Sequence, residues 1–136
     1  MKGWRAAAVW VGLGWGATAG AHHSTATFDL SRTVTLRGTV QTFEWTNPHV
    51  WVWVSVPGAG GDVVVWGVES GPPVILHRSG FSRYSFRAGD RLTMIIHPLK
   101  SGQHGGQFMI ATFADGHVLR TPDPAAFATP EVVGPK

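Results

Sequence analysis

Between residues 50 and 56 the chain alternates without a break: Val50, Val52, Val54 and Val56 on one side, Trp51, Trp53 and Ser55 on the other. Period-two alternation is the signature of a half-buried strand. Residues 34–45 predict a longer strand, in which Gly38 suggests a bulge or sharp coil. After the loop Pro57-Gly58-Ala59-Gly60-Gly61, residues 62–69 predict a third strand. Gly71-Pro72-Pro73 ahead of residues 74–78, with Ser79-Gly80 behind, are start and stop signals for a helix of two turns. Residues 91–97 and 108–113 predict two more strands, on either side of a polar, glycine-rich loop over 98–106. Asp115-Gly116 is a two-residue hairpin signal, and residues 117–120 return from it. Five strands with one short helix between the third and fourth, plus a terminal hairpin arm, predict an all-β fold: a small OB-like five-stranded Greek-key barrel, preferred to a β-sandwich.

The second and third strands form a hairpin. If Val56 faces Asp62, then His49 meets Glu69, Trp51 meets Gly67 and Val52 meets Trp66. Val50, Val52, Val54, Val64, Trp66 and Val68 then form a core face. The opposite face carries His49, Glu69 and the indoles of Trp51 and Trp53, with Gly67 leaving space beside Trp51. Cross-strand neighbours at this separation interact through their side chains. Glu44 and Asn47 flank the group, and Asn47-Pro48 marks a turn. The arrangement reads either as a ligand platform or as a structural hydrogen bond beside covered tryptophans.

Composition narrows the picture. The chain has 136 residues, 43% hydrophobic and 14% charged, so it is one folded domain and not a disordered polymer. It has no cysteine, which removes disulfides, thiolate catalysis and cysteine-based zinc sites. Lys2 and Arg5, the uncharged run over 6–19 and the small-residue triplet Ala19-Gly20-Ala21 read as a secretory signal peptide over 1–21. The run is too short for a membrane span. The expected organisation is therefore a cleaved leader over 1–21, a domain over 22–120 and a flexible, proline-rich tail over 121–136. The expected location is the bacterial periplasm or the exterior. Without the leader, nine basic residues face eight acids, so no basic patch for nucleic acid is expected and no membrane span remains.

Cleavage after Ala21 would make His22 the first residue. Its free amine and imidazole could then chelate Cu(II), with a third nitrogen from His23, His49, His97 or His104. Cleavage after Ala19 would place His22 third, another copper-binding arrangement. The alternative is a solvated start without metal. His77 and His117 are expected to be solvated. No H-E-x-x-H, G-x-S-x-G or phosphate-loop pattern is present, so catalytic residues are not assigned.

The run Ala21-His22-His23-Ser24, the segment Phe43-Glu44-Trp45-Thr46-Asn47-Pro48-His49-Val50-Trp51 and Arg87-Ala88-Gly89-Asp90 before a strand ending His97-Pro98 resemble an uncharacterised family of exported bacterial proteins, domain of unknown function 6152. The resemblance implies a small exported domain and brings no activity with it. Two expectations stand together. One is a binding module that holds copper through His22, His23 and His49. The other is a metal-free domain that takes a small ligand or an exported partner protein on Trp51, Trp53, Glu69, Glu44 and Asn47.

Overall fold

A computed structural model describes residues 25–121 and the backbone of 130–133. Its elements are β1 (Thr33–Glu44), β2 (Trp51–Pro57), β3 (Val63–Glu69), α1 (Pro73–Arg78), β4 (Arg91–Pro98), β5 (Gly105–Phe113), β6 (Val118–Arg120) and β7 (Pro130–Val133). All seven strands belong to one sheet, whose path runs β2-β3-β5-β4-β1-β7. Along one edge of β5, β3 takes Gly105, Gly106 and Gln107 in parallel, and β6 takes Ile110, Ala111 and Thr112.

β1 organises the sheet. Its first half pairs with β4 from Val34 to Thr39, and its second half pairs with β2 from Thr39 to Glu44. A bulge between Val40 and Thr42 bends the strand between these tasks. Gly38 stands at the changeover. A side chain there would run into the Ser55 carbonyl and come within 2.9 Å of Val54 Cγ1, so glycine lets β2 close onto β1. The bulge anticipated at Gly38 lies a little further along the strand.

The expectation of an OB-like five-stranded Greek-key barrel with a terminal hairpin arm is corrected by this arrangement. One sheet of seven strands forms, mostly antiparallel, with one short helix. β6 is laid along β5 as part of that sheet, and β7, from the tail expected to be flexible, lies parallel to β1. The pattern of apolar positions did not foretell this, because a three-residue strand and a proline-led one hold too little alternation to signal pairing.

The helix forms where its start and stop signals lie. Pro73 occupies its first turn, and Gly80, with φ of 86°, ends it. The amides of Gly80 and Phe81 bond back to the carbonyls of His77 and Leu76, and buried Phe81 follows buried Leu76 into the interior. The core contains Leu36, Val40, Val50, Val52, Val54, Val56, Val68, Met94 and Ile96, all nearly inaccessible. Phe86 anchors its aromatic end, with ring centroids 5.1 Å from Phe43, 6.0 Å from Phe108 and 5.4 Å from Phe113.

Residues 25–33 run beside the β4–β5 loop. Phe28 bridges to Leu99, and the Lys100 amide donates to the Thr27 carbonyl at 3.0 Å. Ser31 donates its hydroxyl to Asp29 Oδ1 at 2.6 Å and its amide at 3.1 Å, which holds that carboxyl below its ordinary range.

Two substitutions test this account by urea unfolding. Gly38→Ala should cost about 1–3 kcal/mol, because the atom it strikes is backbone. Val52→Asp should prevent folding, because it buries a carboxylate in the apolar interior.

Candidate functional site

The hairpin of β2 and β3 carries the site. Its register is Trp51↔Glu69, Trp53↔Gly67, Val54↔Trp66 and Val56↔Val64, two residues away from the expected pairing. The reason lies in the loop. The Gly58 amide bonds to the Asp62 carbonyl at 2.8 Å, so only Ala59, Gly60 and Gly61 turn the chain. Gly61 supplies the left-handed residue that a three-residue loop needs, with φ of 85°. A shift of two leaves every side chain on its expected face. Val50, Val52, Val54, Trp66 and Val68 are buried, and Val64 packs against them. Trp51, Trp53, His49 and Glu69 share the other face.

The changed register moves the glycine. Gly67 lies beneath Trp53, not beside Trp51, and a Cβ there would stand 2.7 Å from Trp53 Cζ3. Trp53 therefore lies across β3, and Trp51 stacks beside it, with centroids 5.8 Å apart and planes 17° from parallel. Trp53 Nε1 donates to Glu44 Oε1 at 3.1 Å, across the β1–β2 pairing. The two indoles are half-buried, and the chain over 25–33 docks elsewhere, along Pro98, Leu99 and Lys100.

His49 and Glu69 meet although they are not directly opposite. His49 precedes the strand, and its Nδ1–H donates to Glu69 Oε1 across the diagonal. Glu69 is buried, whereas His49 is half-exposed. A buried carboxylate needs such a partner, so the pair stabilises the border of the platform. Gln107 of β5 sits next to Glu69 in register and joins the group. The sequence offered no signal for it, because the parallel pairing of β3 with β5 joins segments about forty residues apart in the chain. Asn47 stands on the exposed turn, and the bond made there runs from Thr46 Oγ1 to the Asn47 carbonyl at 3.3 Å. The Asn47-Pro48 bond is cis.

The copper expectation divides. His22 and His23 lie outside the described residues. Of the candidates for a third nitrogen, His49 is engaged by Glu69. His97 is fully buried, with Nδ1 donating to the Arg32 carbonyl at 2.8 Å, and His104 is exposed in the β4–β5 loop. His77 and His117 are exposed, as expected. Among the described residues no three His, Asp or Glu side chains converge as a metal site, and no helix is long and apolar enough to cross a membrane.

The match to known families covers most of the chain. The protein belongs to a family of unknown function (DUF6152), whose model matches residues 3–108. No curated protein and no solved structure matches it.

Gly67→Ala tests the geometry of the platform. The added methyl meets the end of an indole, not backbone, so Trp53 should be displaced while the fold persists. Near-ultraviolet circular dichroism should change, and the melting temperature should fall less than it does in Gly38→Ala.

Proposed function

We propose that the protein is an exported binding protein and that its ligand rests on the Trp51–Trp53 platform. The observation that supports this reading is the position of Trp53, spread over Gly67 beside a parallel Trp51 and tied to Glu44. An indole face held flat is a surface for a planar, apolar group. The border carries Glu44, Glu69, His49 and Gln107, so a hydrogen-bond donor or a cation on that group is favoured, both by the carboxylates and by the indole faces. Arylalkylamines, with a planar ring and a protonated alkyl amine, combine these properties. The basic start, the apolar run and the small-residue triplet support export, and the family match begins at residue 3, within that leader.

Titration with tyramine should change the tryptophan fluorescence of the processed protein. Trp53→Ala should abolish the response, and Glu69→Gln should weaken binding several-fold with secondary structure retained. An undiminished response in Trp53→Ala would remove the platform from the account.

Copper binding at the mature amino terminus is the second reading. Its support is the docking of Thr27 and Phe28 against Lys100 and Leu99, in the same loop as exposed His104. That proximity favours His104 over His49 as the third nitrogen. The mass of protein recovered after export should lack residues 1–21 or 1–19. For a start at His22, Cu(II) affinity should fall strongly when one residue is added before it, and also in His104→Ala. Unchanged affinity in both variants would place the copper elsewhere.

A further inference from the structure

A cavity of about 300 Å³ lies between α1 and the sheet. The pairing of β5 explains why it is there. Along one edge of β5, the ladder with β3 ends at Gln107 and the ladder with β6 begins at Ile110. Phe108 lies between the two and forms one wall. On the β3 side the chain stays with β2 and leaves β5: the Ser70 amide donates to the Val50 carbonyl at 2.8 Å, and the Gly71 carbonyl accepts from the Val50 amide at 3.3 Å. On the β6 side the Thr121 amide donates to the Met109 carbonyl at 3.0 Å. Ile75 and Leu76 of α1 complete the enclosure.

Ser70 belongs to this wall. It is only 8% exposed, and its hydroxyl has no hydrogen-bond partner among the described residues. A buried hydroxyl in that state costs stability, and alanine would occupy the position without the cost. Rotation about a single bond, Cα–Cβ, sets the direction of the hydroxyl among its staggered positions. Two more hydroxyls line the cavity, those of Ser79 and Thr121. Thr121 directs its own toward the carbonyls of Phe108 and Met109, 3.4 Å from each, and its oxygen keeps lone pairs for a donor. Hydroxyls both donate and accept without carrying charge. Ile75, Leu76 and Phe108 supply apolar surface around them.

We propose that this cavity binds a small uncharged molecule, an alcohol or a primary carboxamide, with a short apolar body. Ser70 turns its hydroxyl to the polar group, and the body lies against Phe108 and Leu76. The volume is at the small end of the range for ligand pockets, about 300–1,000 Å³, which suits a body of a few carbons. The site does not depend on a ligand at the indoles, although Gln107 borders both.

Isopentanol and isovaleramide are the probes, because neither has a flat ring to lay on the indoles. Each is titrated into the processed protein and followed by amide chemical shifts. The amides of Ser70, Leu76 and Thr121 should move, and the tighter probe names the polar group. The same amides should move equally in folded Trp53→Ala. Ser70→Ala should melt at the temperature of the original or higher, and should bind the tighter probe about tenfold more weakly, as expected for one hydrogen bond. A lower melting temperature, or failure of Ser70→Ala to fold, would show that the hydroxyl has a structural partner and would overturn the proposal. So would amides that neither probe moves, a response lost in folded Trp53→Ala, or undiminished affinity in Ser70→Ala.

Discussion

Everything in this fold depends on one strand serving two partners along one chain. β1 gives its first half to β4 and its second half to β2. β2 and β4 take opposite edges of β1, overlapping at Thr39, and the sheet must curve for β2 to meet both β1 and β3. The missing side chain at Gly38 and the bulge after Val40 let β1 turn between them. The consequence reaches the hairpin of β2 and β3, which is carried round so that Val52, Val54 and Trp66 face inward and Trp51 and Trp53 outward. The platform is a product of that turn.

The sheet separates side-chain chemistry along its own length. Glu44, Glu69 and the indoles gather where β1 ends and β2 begins. Arg37 and Arg91 gather near the other end of β2, beside Pro57. Acidic and basic side chains thus share a face while staying apart. The His49–Glu69 bond serves the first of these by giving a buried carboxylate a partner.

Much of this was legible in the residues, and the rest failed for identifiable reasons. The alternation over 50–56 placed each side chain of β2 on its proper face, and proline and glycine bracketed α1. The hairpin register was missed by two positions because the turn closes over Ala59, Gly60 and Gly61, with Gly58 and Asp62 bonded across its base. His49 was still matched with Glu69, because a side chain just ahead of a strand can reach a diagonal neighbour. Gly67 was recognised as a space, but under the wrong indole. The seven-stranded sheet replaced the five-stranded barrel because β6 and β7 carry almost no pattern. Gln107, and the meeting of Arg37 with Arg91, depend on registers between distant segments. No local window of sequence contains that information.

The parallel pairing of β7 with β1 has a bearing on when the protein can fold. β1 begins at Thr33, and its last partner runs from Pro130 to Val133, almost a hundred residues later. Its pairing with β4 also spans more than fifty residues. Contacts of such sequence separation form slowly, because a long loop must be closed before any reward is gained. A chain emerging from its amino terminus therefore presents β1 early and completes its neighbours last. The pairing of β1 with β7 has to wait until nearly the whole chain has appeared. In the export proposed above, such late pairing would favour passage of the chain before the sheet is complete.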